Sequence, residues 1–131
     1  MPNTMECELV RVYARNRGGL VAEEAIKDNV PYDVVMEAES GQGLFNQGGQ
    51  YKLIMVLRDL TTSSTITQQV VQGTFGDANW PTPVVQHAFA EAPAGNGADD
   101  HVLQALGVLS AGRNDPIVDT EQSDAFIVTQ P

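Results

Sequence analysis

The stretch PYDVVMEAES, residues 31–40, alternates apolar and polar side chains along most of its length. Its two rows are Tyr32, Val34, Met36 and Ala38 on one side, and Asp33, Val35, Glu37 and Glu39 on the other. A period of two is typical of an antiparallel strand that has one face on a core and one face in water. The stretch therefore predicts a half-buried β-strand.

A second alternating stretch, QYKLIMVLRDL at residues 50–60, follows a glycine-rich connection at residues 41–49. The connection lacks the third glycine of a dinucleotide-binding fingerprint, because Asn46 stands at that position, and a strand pattern rather than a helix follows it. We interpret it as the turn of a hairpin without a phosphate site. Leu44 and Phe45, in its middle, either cover an open end of the core or contact a partner.

Further strand patterns run through the rest of the chain. They lie at residues 7–14, 65–75, 84–92, 101–112 and 124–131. The fourth also fits a helix, although Gly107 disfavours a helix interior. Gly73 is a candidate bulge, and residues 20–26 suggest a short helical turn.

About seven short strands without a rhythm of strands and long helices predict an all-β fold. We interpret residues 1–131 as a single domain, an antiparallel β-sandwich that resembles the immunoglobulin type. The paired cysteines and strand tryptophan of true immunoglobulin domains are absent. A jelly roll or a small barrel is the alternative.

Net charge and composition limit the classes of partner that the protein can bind. The net charge of -10 disfavours nucleic acid and anionic membranes, and apolar residues at 42% with charged residues at 18% are typical of a globular protein. No apolar run approaches a membrane span and no signal peptide is recognisable, which predicts a cytoplasmic protein. The single cysteine, Cys7, excludes an internal disulfide and indicates a buried strand residue.

Residues that carry catalytic or metal chemistry are few. Asp99, Asp100 and His101 form a short acidic loop that we interpret as solvated, with no metal and no cofactor. His87 lies in the row of a strand, as expected at the edge of a core. No nucleophile motif is present, so an enzyme is disfavoured. A small hydrolase is the weakest alternative, and it requires two carboxylates or a His–Asp pair that converge in a cleft.

Trp80 is the one tryptophan, in the loop GDANWPTP at residues 76–83. One interpretation makes it an exposed platform for a carbohydrate or another polar ligand, with Asp77 and Asn79 as hydrogen-bonding neighbours. The other makes it a cap on the end of the core.

The strongest functional signal concerns self-association. Ile54 and Val56 lie on the row of their strand that faces away from the core, and Val35 lies on the corresponding row of the preceding strand. If the two strands pair, these three side chains form one outer apolar patch, and such patches mark contacts. The sequence therefore favours a non-enzymatic binding or assembly module that forms a homodimer or binds another protein.

Overall fold

The computed structural model describes residues 6–19, 21–27, 30–91, 100–111 and 117–129. Within these ranges the chain is all-β, as predicted, and one short helix joins two of its strands. The elements in chain order are β1 (Cys7–Asn16), β2 (Ala25–Lys27), β3 (Tyr32–Ser40), α1 (Gln42–Asn46), β4 (Gln50–Asp59), β5 (Ser64–Thr74), β6 (Val84–Glu91), β7 (Val102–Ala111), β8 (Ile117–Gln122) and β9 (Phe126–Thr129).

The strands form two sheets. The three-stranded sheet has the order β1-β3-β6, and the six-stranded sheet has the order β2-β9-β7-β4-β5, with β8 also paired to β7. Every pairing is antiparallel except the short parallel contact of β2 with β9.

The two stretches that flank the glycine-rich connection lie in different sheets, so the prediction of a hairpin between them is wrong. The connection includes α1, which links the end of β3 in one sheet to the start of β4 in the other. Alternation identifies which side chains face a core, but it carries no information about which sheet a strand joins.

One hydrophobic core lies between the sheets and takes side chains from both. It contains Val34 and Met36 from β3 together with Leu53 and Met55 from β4. Gly107 on β7 marks a close approach of the sheets. A Cβ at this glycine would lie 2.8 Å from Val12 Cγ2 and 2.9 Å from Met36 Cε. Residues 102–111 form β7, so the strand interpretation of residues 101–112 is confirmed over this range. The close packing of the two sheets favours glycine at position 107.

The glycine-rich connection closes one end of the core. Leu44 on α1 is buried, and Phe45 is half-buried with its ring centroid 6.0 Å from that of Phe75. Gly48 has φ of 65°, a conformation that glycine adopts without steric cost. Of the two interpretations of Leu44 and Phe45, the structure favours the one in which they cover the core, and Leu44 is not accessible to a partner.

Two local predictions need correction, and one strand was missed. Val21–Glu24 are irregular and Ala25–Lys27 are a strand, so the helical turn is wrong for the described part of residues 20–26. Gly73 pairs in continuous register with Tyr51 and is not a bulge, while the register shift of this pair of strands lies between Leu57 and Arg58. Strand β8 was not predicted.

The described residues contain no helix that is long and apolar enough to cross a bilayer.

Candidate functional site

The outer face of the six-stranded sheet carries a contiguous group of apolar side chains. Ile54 on β4 stands directly between Val70 on β5 and Val108 on β7. Val56 stands between Gln68 on β5 and Leu106 on β7. Residues directly opposite in antiparallel strands share one face of the sheet. We call this group the apolar face, and its members are Ile54, Val56, Val70, Leu106 and Val108.

Solvent reaches the apolar face, and polar residues surround it. Val70 is 46% exposed, and the other four side chains are half-buried. Lys52 and Arg58 lie at the two ends of the β4 row, and each has a glutamine opposite it, Gln72 and Gln104 respectively. An apolar centre within a polar rim is the common construction of protein interfaces.

Val35 does not belong to this face, which corrects the predicted patch. It lies on β3, in the three-stranded sheet, and it is 0% exposed. In the strand register it stands between Tyr13 on β1 and Ala88 on β6. The Arg11 guanidinium lies 4.2 Å from the centre of the Tyr13 ring, so an aromatic ring and a cation cover this side of the sheet.

Polar contacts occupy two further parts of the outer face of the three-stranded sheet. Asp33 is buried and lies 3.4 Å from the Nε atoms of Arg15 and Arg17. Glu37 accepts a hydrogen bond of 2.8 Å from the Gln86 amide. Burial raises the pKa of Tyr13, and the charge of Glu37 raises it further. Contacts within the chain therefore cover this face around Val35 and Asp33, whereas Val84 on β6 is exposed.

Trp80 is 0% exposed, so the prediction of an exposed aromatic platform is wrong. Its indole Nε1 donates to the carbonyl of Pro83 at 3.2 Å. The ring packs edge-on against Tyr51 and Phe75, with centroid distances of 5.0 and 4.9 Å. The residue caps the core, which is the other interpretation that the sequence left open.

Asp77 holds the loop that carries Trp80. Its Oδ1 accepts a hydrogen bond of 2.7 Å from the Tyr51 hydroxyl and bonds of 3.0 Å from the N–H groups of Asn79 and Trp80. Burial acts to raise the pKa of Asp77, but these hydrogen bonds outweigh it and lower the pKa. Asp77 thus stabilises the loop, while ligand binding by the exposed Asn79 stays a prediction.

A His–Asp pair does form, between His101 Nδ1 and Asp59 Oδ2 at 2.7 Å. Asp59 also accepts hydrogen bonds from the N–H groups of Thr61 and Thr62, at 2.9 and 3.2 Å. Burial acts to raise the pKa of Asp59, but the hydrogen bonds from His101 and the backbone lower it overall. The pair ties the β4–β5 turn to the start of β7. Other residues border the clefts formed by residues 10–14 with 21–24, by 37–39 with 84–86 and by 50–51 with 72–74.

The other candidates for chemistry occupy structural positions. His87 packs against Phe89 with a centroid distance of 4.6 Å, and burial lowers its pKa. Cys7 is buried, which raises its pKa to about 11, and the Asp119 carboxylate acts in the same direction. In the described part of the chain no three His, Cys, Asp or Glu side chains are grouped to hold a metal ion. Asp99 lies outside the described residues.

Sequence reasoning found Ile54 and Val56 but missed three members of the apolar face. Leu106 and Val108 belong to the second apolar row of residues 101–112, and Val70 interrupts a run of glutamines. Only the pairing of β4 with β5 and β7 brings these positions together.

Comparisons with known proteins assign no family. No protein-family model matches the chain, and no curated protein matches it. Among solved structures, the sporulation control protein Spo0M from Bacillus subtilis is similar with a TM-score of 0.46 and 11% identity. The match covers 92% of this chain and 49% of that one, so this chain spans about half the length of Spo0M.

Proposed function

We propose that this protein is a non-enzymatic binding or assembly module that self-associates through the apolar face. Its framework is an antiparallel β-sandwich of the immunoglobulin-like type, a proposal supported by two sheets that share one core. The observation that carries the function is the contiguity of Ile54, Val70 and Val108 across three strands of one open sheet face.

The energetics favour a weak dimer. A dimer can bury only the part of each side chain that is still exposed, which is about half for Val70 and at most about a third for the other four, so each gains at most that fraction of the roughly 1.5–3 kcal/mol that full burial contributes. Association costs at least about 4 kcal/mol of translational and rotational freedom. Because five side chains from each copy contribute, the balance predicts dissociation constants of about micromolar to millimolar order. A two-fold dimer fits best, since one surface then pairs with itself.

Charge opposes the same contact. Each copy carries a net charge of -10, so two copies repel at low ionic strength. Added salt screens this repulsion but leaves the apolar contact intact. We therefore expect self-association to strengthen with salt, the reverse of an interface held by ion pairs.

Light scattering across a concentration series, from about 10 μM to about 1 mM, tests the proposal, because this range brackets the expected dissociation constant. The wild type should approach twice the monomer mass at the upper end, and earlier at high salt. The double variant Ile54→Lys with Val56→Lys should stay monomeric, with an unchanged β-type circular dichroism spectrum. A wild type that is monomeric throughout would contradict the proposal. So would an unfolded double variant, because both residues would then belong to the core.

A further inference from the structure

A second open surface lies at the free edge of β1, away from the apolar face. Strand β1 is the outer strand of the three-stranded sheet, so only one of its edges pairs with β3. Strand β8 of the other sheet lies close beside β1, but the two form no ladder in the described residues. Two contacts cover the ends of the other edge. Leu9 N–H donates to Asp119 Oδ2 at 2.8 Å, and Glu23 N–H donates to the Ala14 carbonyl at 2.8 Å.

The middle of this edge presents unpaired backbone. Because the Ala14 carbonyl bonds to Glu23, the backbone groups of Ala14 point away from β3. Backbone groups two residues apart point to the same side of a strand, so the N–H and C=O of Val12 point outward as well. Among the described residues, none of the backbone hydrogen bonds outside the strand ladders involves Val12.

A cleft of about 430 Å³ lies directly in front of this open backbone. Residues 10–14 of β1 form one wall, and residues 21–24 and 121, 122 and 124 form the others. Val10 and Val21, exposed by 47% and 69%, supply apolar surface at the rim. Val10 lies at the register shift of β1 against β3, and such bulges re-aim side chains at sheet edges. We call this site the edge cleft.

The charge of the edge cleft indicates its occupant. Four carboxylates border it, from Glu23, Glu24, Glu121 and Asp124, against a single cationic side chain, Arg11. In the described residues no three of these acids converge as metal ligands would, so the negative charge is spread along the cleft. Spread negative charge beside an open strand edge suits a chain with several positive charges rather than one cation.

We propose that the edge cleft binds an extended, basic segment of a partner protein, which adds a strand to β1. The N–H and C=O of Val12 pair with the backbone of the segment, its apolar side chains contact Val10 and Val21, and its Lys or Arg side chains meet the four carboxylates. Strand addition uses backbone bonds for affinity and side-chain contacts for specificity. This site is separate from the apolar face, and it does not depend on self-association.

A blocked six-residue peptide of alternating Lys and Val is the probe, titrated by calorimetry into the full chain. We expect one-to-one binding that weakens as salt rises. The same peptide with Glu in place of Lys should bind at least about tenfold more weakly, because its charge matches that of the cleft. Two N-methylated versions, one blocked on the Lys amides and one on the Val amides, remove the two possible sets of strand hydrogen bonds. One of them should lose binding about tenfold.

Protein variants distinguish the effect of the cleft carboxylates on peptide binding from the effect of the overall net charge. Neutralising Glu24 and Asp124 together (Glu24→Gln, Asp124→Asn) raises the net charge by two, as do Ala78→Lys and Asn79→Lys together in the exposed loop between β5 and β6. The first should weaken the Lys–Val peptide about tenfold, and the second less than about twofold. Equal losses, unchanged binding of both N-methylated peptides, or no binding at about 1 mM peptide would each overturn the proposal.

Hydrogen exchange locates the added strand. The Val12 amide should exchange fast in the free protein and become protected with the Lys–Val peptide. The neighbouring Tyr13 amide, which points towards β3, should be protected in both states. A Val12 amide that is already protected without peptide would show that the chain covers its own edge, and would overturn the proposal.

Discussion

The outer faces of the two sheets differ in how they surround an outward-facing valine. Each has a valine on the outward row of a central strand, Val35 on β3 and Val56 on β4. In the three-stranded sheet Val35 is buried beside Tyr13, whose ring is in contact with the Arg11 guanidinium, whereas in the six-stranded sheet Val56 lies in an open apolar group. An outward apolar residue therefore indicates a binding surface only when its cross-strand neighbours do not cover it.

The largest expected effect comes from placing a charge at the two valines. Val35→Lys should lower the free energy of unfolding by more than about 3 kcal/mol, because it buries an unpaired charge. Val56→Lys should change it by less than about 1 kcal/mol, since the new charge reaches water. Urea unfolding at low protein concentration, where the chain is monomeric, measures both.

Val35→Thr and Val56→Thr repeat this test with isosteric changes if Val35→Lys does not fold. Only the first should lose stability, by about 1–3 kcal/mol for a buried hydroxyl without a partner. Equal losses at the two positions would mean that the faces do not differ.

The next largest effect concerns the packing of the two sheets against each other at Gly107. Gly107→Ala should destabilise the protein by about 1–3 kcal/mol, because the new methyl group collides with Val12 and Met36 of the opposite sheet. Ser110→Ala, a change on the outer side of the same strand, should stay within about 0.5 kcal/mol. If Gly107→Ala is neutral or stabilising in urea unfolding, the two sheets do not approach as closely as described.

Tyrosine ionisation provides a smaller test of the cover over Val35. Burial raises the pKa of all three tyrosines: Tyr13, helped by Glu37, Tyr32, helped by Glu91, and Tyr51, helped by Asp77. The folded protein therefore holds these protons above pH 10, where the unfolded chain loses them, and stability should fall as the pH rises past about 10.

Absorbance of tyrosinate follows this ionisation in the native protein. We expect each of the three tyrosines to titrate above its ordinary pKa, and Tyr13→Phe to remove one of the delayed transitions. A third of the absorbance change centred near pH 10 would show that Tyr13 is open to solvent. The cover over Val35 would then be missing.

The sequence predicted the strands well and their neighbours poorly. Alternation identified β3 and β4, because burial of one face imposes a period of two on the sequence itself. The cover on Val35 comes from Tyr13, 22 positions earlier, through a register that includes the irregularity at Val10. Nothing within residues 31–40 reports on that contact. For the same reason Val35 was grouped with Ile54 and Val56, and Val70 was overlooked.

The edge cleft was beyond sequence reasoning for a related reason. Its acids come from residues 23–24 and 121–124, almost one hundred positions apart, and neither group forms a motif. The sequence also could not decide the role of Trp80, since one tryptophan before a proline fits both an exposed platform and a core cap. Its environment, supplied by Tyr51 and Phe75, decides between them.

The central claim, that the apolar face drives self-association and the outer face of the three-stranded sheet does not, is tested most directly with two matched valines. Val70 lies on the apolar face and is 46% exposed, while Val84 lies on the outer face of the three-stranded sheet and is 56% exposed. Val70→Lys and Val84→Lys remove the same side chain, add the same charge and should both fold. In light scattering at high protein concentration, Val70→Lys should remain monomeric, while Val84→Lys should follow the wild type towards twice the monomer mass. Equal masses for the two variants at every concentration would contradict the account.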